Sequence, residues 1–219
     1  MRNLVIAVAV LALAVPLVAC VPQGGNQAEG LAPQGGNQAE GWETRLDGGT
    51  DATSVLHFRT MGTGVHASTA NRGAAIFWQP NNMAKGDYTI SASFTQTEPS
   101  GHANAYGLFF GGSDLWGPNQ RYSYFVIRQG GEFLVKKRMG DETPTVVDWT
   151  AHDAISDLDD QGQSSNTLAV EVGSSQVRFL VNGTEVTSQP RSAVDTDGIT
   201  GLRITHLLDV HIGDLNLVM

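Results

Sequence analysis

From Trp42 onward, polar and apolar residues alternate with a period of two, the spacing of strands that turn one face to a core and the other to water. Tyr88, Ile90, Ala92 and Phe94 alternate with Thr89, Ser91, Ser93 and Thr95. Tyr122, Tyr124 and Val126 alternate with Ser123, Phe125 and Ile127, so this strand is expected to be covered on both faces. The same period continues through Phe133 and Val135, through Leu168, Val170 and Val172, and through Val177, Phe179 and Val181. Ile199 to Ile204 and Val210 to Val218 read as the last two strands. Asn182-Gly183 separates two such runs and is the pair a type I′ hairpin turn favours, because both central residues need positive φ. Gly130-Gly131 divides Tyr124–Arg128 from Glu132–Lys137 in the same manner. No stretch of ten or more residues carries a helical period. About a dozen strands exceed what one twisted open sheet holds, so the pattern predicts an all-β domain of two sheets packed face to face, a jelly-roll sandwich.

The N-terminus breaks this pattern. Leu4 to Ala19 is almost wholly apolar behind a single basic Arg2, and Leu17-Val18-Ala19-Cys20 ends on the only cysteine of the chain. The run is shorter than the roughly 20 residues a membrane-spanning helix needs, and it contains Pro16. It resembles a bacterial lipoprotein signal, in which the cysteine is acylated and the residues before it are removed. An ordinary secretory signal with an incidental cysteine is the other reading. The resemblance implies a signal over 1–19, lipidation of Cys20 and a domain held by that lipid on the periplasmic side of a bacterial membrane. With Cys20 so used, no thiol remains for a disulfide, a zinc site or a nucleophile.

Residues 20–41 form the expected tether. Pro22 to Gly30 returns unchanged as Pro33 to Gly41, a period of eleven rich in Gly, Gln and Asn that has too little apolar surface to offset the entropy of ordering. Such a segment of about 20 residues has an r.m.s. span of roughly 25 Å. The domain is then 42–219, large enough to bury roughly 70% of its unfolded surface.

Formal net charge is −9, and loss of the signal leaves 12 basic against 22 acidic residues. A surface of this sign repels phosphate backbones, which excludes nucleic acid as a partner. Positive charge concentrates only at Arg121, Arg128 and the run Lys136-Lys137-Arg138.

Tyr106-Gly107-Leu108-Phe109-Phe110-Gly111-Gly112, Asn119 to Phe125, Val181-Asn182-Gly183 and Asp197 to Arg203 together resemble the concanavalin A-like (laminin G/glucanase) sandwiches. More narrowly they are similar to the bacterial domain family named after 3-keto-disaccharide hydrolases, over roughly Trp42 to Met219. The resemblance implies a two-sheet jelly roll and, in its hydrolase members, glycoside chemistry. Their acidic residue and Asn-Ser-Gly positions read here Ala92-Ser93-Phe94-Thr95 and Asn104-Ala105-Tyr106-Gly107. Cleavage commonly requires paired carboxylates, so no catalytic residue is assigned. Asp114, Asp148 and Asp153 are not paired by spacing. Asp157-Leu158-Asp159-Asp160 reads as a solvated loop before a calcium clip. His206 and His211 flank Asp209 as a zinc alternative to ordinary strand histidines, while His57, His66, His102 and His152 show no ligand spacing. There is no Gly-x-Ser-x-Gly elbow. No cofactor and no metal is assigned.

The segment with the most binding chemistry runs from Ser113 to Tyr122. Gly117-Pro118 should keep it at the surface. Trp116 then offers an aromatic plane to a sugar ring or a protein partner, with Asp114, Asn119, Gln120, Arg121 and Tyr122 supplying polar contacts. The alternative is that Trp116 folds back and plugs the sandwich edge. Trp149 carries the same ambiguity with more weight on the core, and Trp42 and Trp78 are expected to close the sandwich where terminal strands meet. Three functions are thereby open: a membrane-tethered, non-catalytic module recognising a glycan or a protein partner, an accessory structural subunit on the periplasmic face of a membrane protein complex, and a hydrolase of (3-keto-)disaccharides or related glycosides.

Overall fold

A computed structural model describes residues 39–47, 56–69 and 74–219. The signal, Cys20 and most of the repeat tether lie outside the described residues.

Among the described residues fifteen strands make two sheets, and every pairing is antiparallel. The first sheet runs β1 (Glu43–Leu46), β4 (Ala75–Ala84), β13 (Gly198–Ile204), β6 (Ala105–Ser113), β7 (Arg121–Arg128), β8 (Glu132–Met139) and β9 (Thr145–Ala151). The second runs β12 (Thr184–Pro190), β11 (Gln176–Val181), β10 (Ser164–Val172), β5 (Tyr88–Gln96), β14 (Leu208–Ile212), β3 (Gly64–Thr69) and β2 (Leu56–Met61), with β15 (Asn216–Val218) also on β5. Among the described residues the only helical element is the 3-10 turn Arg191–Ala193. The all-β sandwich read from the alternation is the fold observed.

The hairpins form where the sequence places them. Asn182 and Gly183 have φ of 51° and 79°, and Gly130 and Gly131 have 91° and 75°. One expectation changes. Val210–Val218 is not a single strand but two, β14 and β15, which lie end to end along one edge of β5 with Gly213 at the break. The Gly213 N–H donates to the Ser93 carbonyl at 2.9 Å, which keeps the chain on β5 across the interruption.

Between the sheets lies one continuous core. β5, β10 and β11 contribute Ile90, Ala92, Phe94, Leu168, Val170, Val177 and Phe179, facing Phe77, Leu108, Phe110, Phe125, Phe133 and Leu202 from the other sheet. Each such side chain stabilises the fold by about 1.5–3 kcal/mol when fully buried. Trp42 closes one end, packed edge-on to Phe58 at 5.2 Å.

The seven-stranded sheet carries a second apolar layer on its outward side. Ile76, Trp78, Ala105, Phe109, Leu115, Tyr122, Tyr124, Val126 and Leu134 form a cluster separate from the core. Register explains it: Trp78, Gly201, Phe109 and Tyr124 lie in one row across β4, β13, β6 and β7. The two-faced burial expected of β7 is therefore real, and Trp78 belongs to this outer layer rather than to the space between the sheets.

Candidate functional site

β1 sets up the outward face of the seven-stranded sheet. Leu46 points into the core, so Glu43, Arg45 and Asp47 alternate to the other side. Asp47 still sits against the sheet edge, its N–H donating to the Ala74 carbonyl at 2.7 Å. Yet its carboxylate Oδ2 accepts hydrogen bonds from Arg203 Nη2 on β13 at 2.7 Å and from Arg138 Nη2 on β8 at 2.5 Å. β8 is five strand spacings from β1 in the sheet order, about 24 Å if the sheet were flat. An aspartate and an arginine side chain cannot bridge that distance, so the sheet curls toward this side and the face is concave.

Two tyrosines stand on the floor of the concavity. Arg203 Nη1 donates to the Tyr122 hydroxyl at 2.6 Å, and its guanidinium carbon lies 4.4 Å from the centre of the Tyr124 ring. Tyr122 also packs on Phe109, with ring centres 5.3 Å apart. Gly201 makes room for this packing, since a Cβ there would lie 2.5 Å from the Phe109 ring. Burial raises the pKa of both phenols, so Tyr122 and Tyr124 are neutral at physiological pH. Burial also pushes the Asp47 carboxyl upward, but Arg203 and Arg138 outweigh it and hold the group below the usual carboxylate value. The cluster therefore consists of two cations, one anion and two neutral hydroxyls.

The β6–β7 loop forms a rim of this face. Arg45 Nη1 donates to the Leu115 and Gly117 carbonyls at 2.6 and 2.7 Å. Asp114, at φ 48°, accepts the Asn119 N–H on its carboxylate at 3.1 Å and the Gly117 N–H on its carbonyl at 2.9 Å. Trp116 fits neither extreme expected of it. It packs on Trp78 at 5.2 Å and its indole N–H donates to Glu43 at 2.6 Å, but 36% of it stays exposed.

The six residues proposed from this segment divide accordingly. Asp114, Trp116 and Asn119 are exposed on the loop. Gln120 is 5% exposed and Tyr122 fully buried, so Tyr122 supports the floor through Arg203 instead of presenting its ring. Arg121 turns to Asp195, 3.5 Å away, where Lys137 also converges at 3.4 Å. Asp47, Lys136, Arg138 and Arg203 were not singled out as site residues from the sequence. The basic run Lys136-Lys137-Arg138 is the signal that could have found Lys136 and Arg138, whereas no local pattern marks Asp47 or Arg203. Trp149 lies on the same outward face, half-buried, with the Arg128 guanidinium 4.0 Å over its ring.

The other candidate groups are arranged differently from their sequence order. Asp209 meets His66 of the neighbouring strand at 3.3 Å, and His211 stands opposite His66 across β14 and β3. His206 instead packs near His102, ring centres 5.0 Å apart. The zinc triplet of His206, Asp209 and His211 is thus not assembled, because His206 precedes the strand that carries the other two. Asp159 closes its own loop by accepting the Gln161 and Gln163 N–H groups at 2.9 Å. Among the described residues no group of three or more His, Cys, Asp or Glu side chains is placed to hold a metal ion.

The fold with its curled sheet is that of the concanavalin A-like jelly rolls. The chain is similar to the carbohydrate binding module CBM66 from Bacillus subtilis, with a TM-score of 0.59 at 14% identity over 84% of this chain and 98% of that one. It is also similar to a Bacillus subtilis protein of unknown function with a galectin-like fold (TM-score 0.58, 14% identity, 81% and 88% covered). A third similar structure is a Bacteroides ovatus GH16 protein of a mixed linkage glucan locus in complex with an oligosaccharide product (TM-score 0.57, 11% identity, 81% and 94% covered). These likenesses establish the fold. No protein-family model matches the chain, and no curated protein does.

Proposed function

We propose that this protein is a non-catalytic, glycan-binding module, anchored by lipid on Cys20 and displayed on the periplasmic side of a bacterial membrane at the end of the residue 20–41 tether. The observation that carries the glycan reading is the concave outward face of the seven-stranded sheet, floored by aromatic rings and cations and rimmed by a partly exposed Trp116. A sugar ring presents an apolar face to an indole and hydroxyls to guanidinium and carboxylate groups. The similar structures support this, since one is a carbohydrate binding module and another holds an oligosaccharide.

The hydrolase reading has less support. Glu43, Asp47 and Glu132 are the carboxylates whose positions on this face are fixed by register, and each is held by an indole or a guanidinium. General acid and base roles require one carboxyl that carries a proton and another free to accept one or attack.

Glycan-array binding by the detergent-solubilised full-length chain tests the proposal. Wild type should retain a defined set of glycans, and Trp116→Ala should weaken retention about tenfold while stability stays within about 1 kcal/mol. Retention of no glycan, or Trp116→Ala binding equal to wild type, counts against it. In the latter case a membrane protein partner becomes the better explanation of the rim. The anchor is tested separately by Cys20→Ser, which should move the protein from the membrane to the soluble fraction.

A further inference from the structure

The charge on the concave face opposes that of the chain. Net charge is −9, yet Arg45, Lys136, Arg138 and Arg203 lie on this face against Glu43, Asp47 and the rim's Asp114, while Arg128 is matched by Glu132 at 2.5 Å. Register places Lys136 beside Tyr124 and Arg138 beside Tyr122, both on the outward side. Asp47 is shared by two guanidiniums, and a single carboxylate neutralises only one. Arg45 is bonded to the neutral Leu115 and Gly117 carbonyls, and Lys136 has no ion-pair partner among the described residues. Arg138 Nε is buried with no acceptor among the described residues. An orphaned guanidinium donor beside a surplus of positive charge is costly when left unmatched. Planar guanidinium groups match carboxylates in both shape and charge.

We propose that the glycan bound on this face is acidic, a sugar bearing a carboxylate that docks beside Arg138 and Lys136. This inference rests on the glycan-binding reading and adds the chemical class of the ligand. The ring of the acidic sugar lies along the aromatic rim while its carboxylate supplies the negative charge that Asp47 alone does not. Neutral sugars lack that complement.

Titration calorimetry with the full-length solubilised protein distinguishes the possibilities. Oligogalacturonate should bind at least about tenfold more tightly than its methyl-esterified neutral form, and that preference should shrink as salt rises. Lys136→Gln, at a half-buried position outside the Asp47 network, should cut oligogalacturonate affinity several-fold and narrow its margin over the neutral form. Arg138→Gln should weaken oligogalacturonate binding more strongly, with a circular dichroism melt to show that the variant is folded. Equal binding of the acidic and neutral forms overturns this inference but leaves the glycan reading standing, and so does tighter binding of a sulfated oligosaccharide. Failure to bind any sugar on the array overturns both.

Discussion

Arg178, on the outward face of the eight-stranded sheet, bridges two carboxylates: Glu171 at 2.6 Å and Glu185 at 2.7 Å. Asp47, on the outward face of the other sheet, bridges two guanidiniums at nearly the same distances. The two triads mirror each other in charge and differ in surroundings. The Arg178 side chain is 49% exposed and stands opposite Ser188 on β12, with Thr89 beside Glu171 one strand further on, short polar groups of an ordinary wet face. The Asp47 side chain is 13% exposed and stands above tyrosine rings. Ion pairs in water contribute little, because the medium screens them and the side chains lose freedom in forming them. In a dry setting, losing the one anion leaves two cations without solvent or counterion. Distance alone therefore does not rank the two triads; the face on which each stands does.

Asp47→Ala should have the largest effect in this comparison, about 3–5 kcal/mol by urea denaturation, because it strands Arg138 and Arg203 in the buried cluster. A loss no greater than that of Arg178→Ala would show that the concave face is wetter than its packing implies. Gly201→Ala comes next, at about 1–3 kcal/mol, since its Cβ would collide with the Phe77 carbonyl oxygen of β4 and press on the Phe109 ring that supports Tyr122. Acid sharpens the contrast further. The folded pKa of Asp47 lies below its ordinary value of 3.8, so the stability it contributes is complete above about pH 5 and is lost as pH falls through 3.8 toward the folded value. Asp47→Asn should accordingly flatten the pH dependence of the melting temperature in that window, as read by calorimetric scans from pH 6 to 2. The smallest effect belongs to Arg178→Ala, for which no measurable shift in melting temperature is expected.

The sandwich was legible from the chain because alternation reports burial directly: Tyr88 to Phe94 face the core and Thr89 to Thr95 do not. The hairpin at Asn182-Gly183 was legible for a local reason, the positive φ of both residues. The concave site was less so. Arg203 sits in Leu202-Arg203-Ile204, a strand segment in which an arginine at an outward position reads as solvated. Its carboxylate partner is 156 residues away, and no local pattern brings them together. Only β7, apolar on both sides, shows in sequence that something must cover the outward face. The loop of Trp116 was visible because Gly-Pro and an indole are local signals. That Tyr122 at its end is a buried support and not a contact depends on register with Arg138, a long-range fact. The split of the C-terminal run into β14 and β15 escaped for the same reason: both halves lie along one edge of β5, but only β14 is paired with β3 on its other side.

Among the described residues β1 pairs with β4 alone and is only four residues long, yet it supplies Glu43 to the rim and Arg45 to the loop, and the next residue, Asp47, to the floor. Among the described residues it is also the first strand, directly after the segment proposed as a tether. A pull on the chain from its N-terminal side would be borne by this short edge before any other strand. Peeling it away would withdraw all three side chains at once, so mechanical load and occupancy of the groove are coupled through a single hinge of four backbone pairings.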